Sequence, residues 1–175
     1  LALLERLVAE ARKSAMDALA AEGHFSASVQ AQIETPPGAA AVVRLTVEPG
    51  PRTQVAGIDL RFRGPVLDDA EGRKRTAIVR EQWQLPLGVP SRQADWDAAK
   101  EGALARLARG RYAAASIVES EARIEPTERS AHLKLQLDSG PIFHAGPTVV
   151  SGLKRYPAAV VENLNPLRTG EPYDA

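Results

Sequence analysis

Leu1, Leu4, Leu7, Val8, Ala11, Ala15, Ala18 and Leu19 recur at helical spacing, with Arg6, Glu10, Lys13 and Asp17 on other faces, which predicts one amphipathic helix capped by Gly23. At Phe25 the period drops to two. Phe25, Ala27, Val29, Ala31 and Ile33 alternate with Ser26, Ser28, Gln30, Gln32 and Glu34, the pattern of a half-buried strand. After Pro36-Pro37-Gly38 the alternation resumes as Ala41, Val43, Leu45 and Val47, so the two strands are expected to form an antiparallel hairpin. Beyond Pro49-Gly50-Pro51 a third strand carries Val55 on one parity and Ile58, Leu60 and Phe62 on the other, with a bulge expected at Gly57 between them. A polar stretch from Gly64 to Gly72 leads to a helical pattern through Ala77, Ile78, Val79 and Trp83, ended by Leu85-Pro86-Leu87-Gly88-Val89-Pro90. Ser91 is placed to cap a second helix with the apolar face Trp96, Ala99, Ala103, Leu104 and Leu107, closed by Gly110.

The first pattern then returns. Gly23-His24-Phe25-Ser26-Ala27 matches Gly110-Arg111-Tyr112-Ala113-Ala114 at an offset of 87. Tyr112, Ala114, Ser116, Val118, Ser120, Ala122 and Ile124 predict the inward face of a strand, with Glu119, Glu121, Arg123 and Glu125 outward, and Ala131, Leu133, Leu135 and Leu137 predict its return. Glu48-Pro49-Gly50-Pro51 matches Asp138-Ser139-Gly140-Pro141 at offset 90, Ala56-Gly57 matches Ala145-Gly146 at offset 89, and Gly88-Val89-Pro90 matches Gly170-Glu171-Pro172 at offset 82. The repeating unit is strand, helix, helix, strand, strand, about 90 residues long. Residues 1–50 are therefore expected to hold the last three elements of one copy, 51–141 a complete copy, and 142–175 the start of a third. The chain opens on Leu1 and reads as a piece of a longer protein.

Charge narrows the function classes. With 22 Lys plus Arg against 22 Asp plus Glu, no basic field exists to hold a nucleic-acid backbone, so nucleic acid is not an expected partner. The absence of Cys excludes disulfides and thiolate chemistry, and no apolar run is long enough to span a bilayer as a helix. The three histidines, His24, His132 and His144, lack ligand spacing, so neither a metal site nor a cofactor is expected. Asp95 and Asp97 fall in the first turn of a helix, where negative charge complements the dipole, and Glu119, Glu121 and Glu125 alternate on a solvent face, so none reads as catalytic. Gly72-Arg73-Lys74-Arg75 is too short for a nucleic-acid patch and reads as a solvated loop or helix start, while Trp83 and Trp96 are expected to pack together or over the sheet. The chain is not expected to be an enzyme.

The tandem unit, with its glycine-aromatic step into the second strand, resembles the POTRA domains, periplasmic modules that precede outer-membrane β-barrels. Leu87-Gly88-Val89-Pro90 running into Gln93-Ala94-Asp95-Trp96-Asp97-Ala98-Ala99-Lys100, then Ser120-Glu121-Ala122-Arg123-Ile124-Glu125-Pro126, Asp138-Ser139-Gly140-Pro141 and Gly170-Glu171-Pro172-Tyr173-Asp174, resemble the TamA-type assembly factors of the translocation and assembly module. The chain departs from them in that Ser91 stands where the third copy has Tyr173, and in that the barrel and the first strand of the first copy lie outside this sequence. The resemblance implies an α+β fold of tandem modules, each a three-stranded sheet covered on one face by two helices. It also implies a non-catalytic periplasmic arm, attached to the outer membrane through its own barrel, with a TamB-like inner-membrane-anchored partner and with unfolded outer-membrane or autotransporter proteins as substrates. The arm of another POTRA transporter, for barrel assembly or two-partner secretion, and a purely structural spacer are the alternatives.

A sheet covered on one face leaves edge strands whose N–H and C=O groups can accept an incoming strand. In the family the second strand of each module is that edge, which maps onto residues 26–34 and 114–125 here. The candidate binding residues are Ser26, Ser28, Gln30 and Gln32 in the first copy, and Val118, Glu119, Ser120 and Glu121 in the second.

Overall fold

Helix α1 covers Ala2–Ala21 in the computed structural model, which describes residues 2–38, 40–152, 157–165 and 168–173. Leu1 and Asp174, both part of the patterns above, lie outside the described residues. The helix ends as its glycine predicts: the His24 N–H donates to Leu19 O and the Gly23 N–H to Ala20 O, each at 2.9 Å, with Gly23 at φ 93°. The chain does not enter the strand at Phe25. Residues 25–26 turn, the Ala27 N–H reaches back to His24 O at 3.4 Å, and β1 runs Ser28–Glu34. The second copy repeats the delay, because Tyr112 belongs to a single 3-10 turn, Gly110–Tyr112, and β4 begins only at Ser116 (Ser116–Glu125). In both copies a left-handed glycine bends the backbone, and the following aromatic packs before the ladder starts.

β2 (Val42–Glu48) pairs antiparallel with β1 in the register Val29↔Val47, Ala31↔Leu45 and Ile33↔Val43, so the predicted apolar rows share one face. β3 (Gln54–Arg63) buries Val55 on one parity and Leu60 and Phe62 on the other, the switch expected around Gly57. The polar stretch that follows holds more structure than its pattern suggested. A 3-10 turn at Pro65–Leu67 is followed by Asp69, whose Oδ1 accepts the Gly72 N–H at 2.7 Å and starts α2 (Ala70–Glu81), seven residues before the first apolar signal at Ala77. Helix α3 spans Gln93–Leu107, with Trp96, Ala99, Ala103 and Leu107 buried. Ser91 does not cap it. Arg92 O accepts the Trp96 N–H at 3.1 Å, while Ser91 N–H is drawn to Thr53 O at 2.8 Å. β5 (Ser130–Asp138) follows β4 through a short turn in which Arg129 takes φ 54°.

β3, β5 and β4 form a three-stranded sheet in that order. Gln54 N–H donates to Arg129 O at 2.9 Å and Ser139 N–H to Arg63 O at 3.1 Å, so β3 runs parallel to β5, which the chain reaches from β3 by way of α2, α3 and β4. The fold is α+β, and residues 54–138 complete the strand-helix-helix-strand-strand order. Ala131, Leu133, Leu135 and Leu137 are all buried, while His132 between them is exposed, so one face of the central strand is covered.

The chain divides into two compact units. The first comprises Leu1–Leu60, Trp83–Gly102 and Glu119–Leu135, and its core gathers Val29, Val55, Leu60, Leu85, Trp96, Ala99, Ala131, Leu133 and Leu135. Trp83 and Trp96 meet in it edge to face, with centroids 6.2 Å apart, as their positions predicted. The second comprises Arg61–Gln82, Ala103–Val118 and Gln136–Ala175, with Phe62, Val66, Val79, Ala103, Leu107, Tyr112 and Leu137 inside. It also contains α4, Ala158–Leu164.

Backbone bonding reproduces the sequence repeat within each unit. In the first unit Gly88 N–H donates to Val55 O, Val55 N–H to Val89 O and Ser91 N–H to Thr53 O. In the second unit Gly170 N–H donates to Ala145 O, Ala145 N–H to Glu171 O and Tyr173 N–H to Phe143 O. The equivalent of Ala145 is thus Val55, one residue before the Ala56 that residue identity had selected.

Candidate edge-strand site

β4 stands at one end of the sheet order and carries Val118, Glu119, Ser120 and Glu121. Its two faces differ. On the outward face Glu119 is paired with Lys134 Nζ at 2.6 Å and Glu121 with Arg123 at 3.5 Å, so two of the charges expected to guard the strand are engaged within the molecule. The other row was expected to be buried. Instead Ser116, Val118, Ser120 and Ala122 are exposed, Val118 by 39%, and only Ile124 is half-buried. β4 therefore presents an uncharged row of small and apolar side chains on the face where β5 is covered.

Two hollows flank the second half of the strand. On the outward face Glu121, Arg123 and Glu125 border a 570 Å³ groove with Asp59, Glu128 and His132, floored where Gly57 lies so close to His132 that an added Cβ would be 2.6 Å from Nδ1. On the other face Ala122 and Ile124, with Phe25, Trp96 and Leu133, line a 170 Å³ hollow. The resemblance pointed to the strand but not to these walls. The exposed Ala122 and the aromatic Phe25, from a turn nearly a hundred residues earlier, carry no signal of their own in the sequence.

In the first copy Ser28, Gln30 and Gln32 are exposed on β1, while Ser26 precedes the strand in the turn. Ser28 Oγ donates to Glu48 Oε2 at 3.4 Å, and Ser26 faces Gly50, where a Cβ would meet its Oγ at 3.0 Å. Seven of the eight candidate residues thus fall on two separate strands, and Ser26 falls in the turn before β1.

Among the described residues no three His, Asp or Glu side chains are grouped as metal ligands would be, and no helix is long and apolar enough to cross a membrane. The depressed carboxyls mark capping and turn positions. Asp69 is held below the usual carboxylate range chiefly by the Gly72 N–H and further by Arg111, Asp138 by the Gly140 N–H and Arg63, and Asp97 by Lys100 and Gln93. Burial pushes the Tyr112 phenol up.

No family model and no curated protein matches the sequence. Among solved structures, the crystal structure of Haemophilus influenzae BamA POTRA3-5 is similar over 90% of this chain at 14% identity and a TM-score of 0.47, and the chain spans 60% of that structure.

Proposed function

We propose that this chain is part of the periplasmic arm of a TamA-type outer-membrane assembly factor, a non-catalytic tandem of POTRA-like modules that receives substrate strands by β-augmentation. The observation that carries the reading is β4, a terminal strand whose helix-side row is uncharged and exposed. An extended chain laid along β4 gains backbone hydrogen bonds from the open edge.

Magnitudes favour a transient complex. Five or six added hydrogen bonds at about 0.5 to 1.5 kcal/mol each give roughly 3 to 9 kcal/mol, against an association cost of about 4 to 15 kcal/mol. Weak binding suits a step in which the substrate must leave for the membrane. The substrates in this reading are unfolded outer-membrane or autotransporter proteins, and a TamB-like partner docks elsewhere on the arm.

The same reading divides the chain into residues 1–50, 51–141 and 142–175 as successive modules. It accounts for a contrast between matching strands. Val43, Leu45 and Val47 of β2 are 38 to 45% exposed, whereas Leu133, Leu135 and Leu137, ninety positions on, are 0 to 2% exposed beside β3. A strand and helix equivalent to β3 and α2 would cover β2 in the same way.

Photo-crosslinking tests the proposal. A photoreactive residue at Val118 or Ser120 in the membrane-anchored protein should capture translocating substrate, and one at Glu101 on α3 should not. Equal capture at both places, or none at β4 while substrate is in transit, rules out the strand as the receiving edge.

A further inference from the structure

His24 joins the end of α1 to the link between β2 and β3, and its two ring nitrogens face partners of opposite demand. Nδ1 is 3.0 Å from Gly50 O, which can only accept, so Nδ1 carries the proton. Nε2 is 3.2 Å from Arg52 Nε, which can only donate, so Nε2 must be bare. Both contacts are made at once only by the neutral, Nδ1-protonated imidazole.

The surrounding joint is built from the same two segments. Thr53 N–H donates to Gly23 O at 2.8 Å, Gly50 takes φ 67° against Ser26, and Arg92 Nη2 holds Glu22 Oε2 at 2.8 Å. The charged group on the ring is Arg52. Of the carboxylates at the ends of α1 and β2, Glu22 is engaged by Arg92 and Glu48 by the Ser28 hydroxyl.

We propose that His24 is a proton-sensitive pin: uptake of a proton at Nε2 turns its one acceptor into a donor facing the Arg52 guanidinium, releases Arg52 and loosens the 50–53 link from the end of α1. The Gly50 bond survives, because Nδ1 keeps its proton. The matching position in the second copy, 87 residues on, is Arg111, permanently charged and paired with Asp69 at 3.1 Å, so that position does not respond in this way. The device is thus confined to the first joint and makes its stiffness depend on pH.

Ring-nitrogen NMR on the whole chain reads the premise directly, since at neutral pH His24 should show a protonated Nδ1 and a bare Nε2. The consequence is read from solvent exchange of the Thr53 amide at about pH 8 and about pH 5, after correction for intrinsic exchange. Wild-type protection should fall several-fold in acid, and in Arg52→Met, which removes the opposing donor, it should be the same at both pH values. A protonated Nε2 at neutral pH, wild-type protection independent of pH, or an equal acid loss in Arg52→Met would each overturn the proposal.

Discussion

Leu45 and Leu135 occupy matching positions of the repeat, ninety residues apart, yet Leu45 is 41% exposed and Leu135 is 0% exposed. Truncating each to alanine therefore separates what the sequence pattern shares from what packing adds. Leu135→Ala opens a cavity under β5 in the first unit's core, and its cost is that of a fully buried leucine, about 2 to 5 kcal/mol. Leu45→Ala removes about three-fifths of a burial and encloses no cavity, which limits the loss to about 1 kcal/mol. Urea unfolding followed by tryptophan fluorescence suits the comparison, because the two tryptophans of the chain, Trp83 and Trp96, are paired in the same unit. With a slope of about 2 kcal/mol/M, Leu135→Ala should lower the midpoint by about 1 to 2.5 M and Leu45→Ala by about 0.5 M or less. Equal shifts would refute the reasoning, because they would mean that β2 is as well covered as β5.

Three further outcomes follow from the geometry. Gly72→Ala should destabilise the protein by about 1 to 3 kcal/mol in a thermal melt, although alanine ordinarily gains about 1 kcal/mol over glycine in a helix, because the new Cβ would lie 2.0 Å from Val66 O and 2.8 Å from Tyr112 Oη; a stabilised variant contradicts this packing. Lys134→Ala should cost less than about 1 kcal/mol despite its 2.6 Å bond to Glu119, since both side chains are partly solvated, and a urea midpoint lowered as far as that of Leu135→Ala would refute the assigned strand parity. Asp69, Asp97 and Asp138 have folded-state values depressed below the unfolded carboxylate value of about 3.9, so their stabilisation is complete above that value and is lost as pH falls through it toward the folded values. Urea midpoints measured between about pH 5 and pH 2.5 should fall steeply in the wild type and less steeply in Asp69→Asn/Asp138→Asn, and identical slopes would count against these contacts.

Much of the fold was legible because periodicity reports burial wherever a strand is half-covered. The alternation in β1 and β5, the parity switch around Gly57, the glycine end of α1 and the tryptophan pair all follow from spacing and residue type, whereas α3 ends at Leu107 and Gly110 opens a separate 3-10 turn. What escaped was local polar chemistry and tertiary competition. Asp69 starts α2 through a side-chain bond to Gly72, within a stretch from Gly64 to Gly72 that read only as polar. Ser91 has the residue type of a cap, but its backbone is claimed by Thr53, and the helix starts beyond it. Phe25 and Tyr112 continue a period-two pattern that the preceding left-handed glycines interrupt. The edge site was legible as a strand. That its helix-side row is uncovered was not, because alternation predicts a face and cannot tell how far the helices extend over it.

The most direct test of strand reception is a backbone-amide NMR titration of this chain with an extended β-strand peptide taken from an outer-membrane barrel. The account predicts saturable, millimolar-range shifts concentrated along Val118–Glu121 and continuing to Ile124, with α1 and α4 unmoved. Shifts absent along β4 at saturating peptide, in a chain whose spectrum shows it folded, would contradict strand reception and favour the spacer reading.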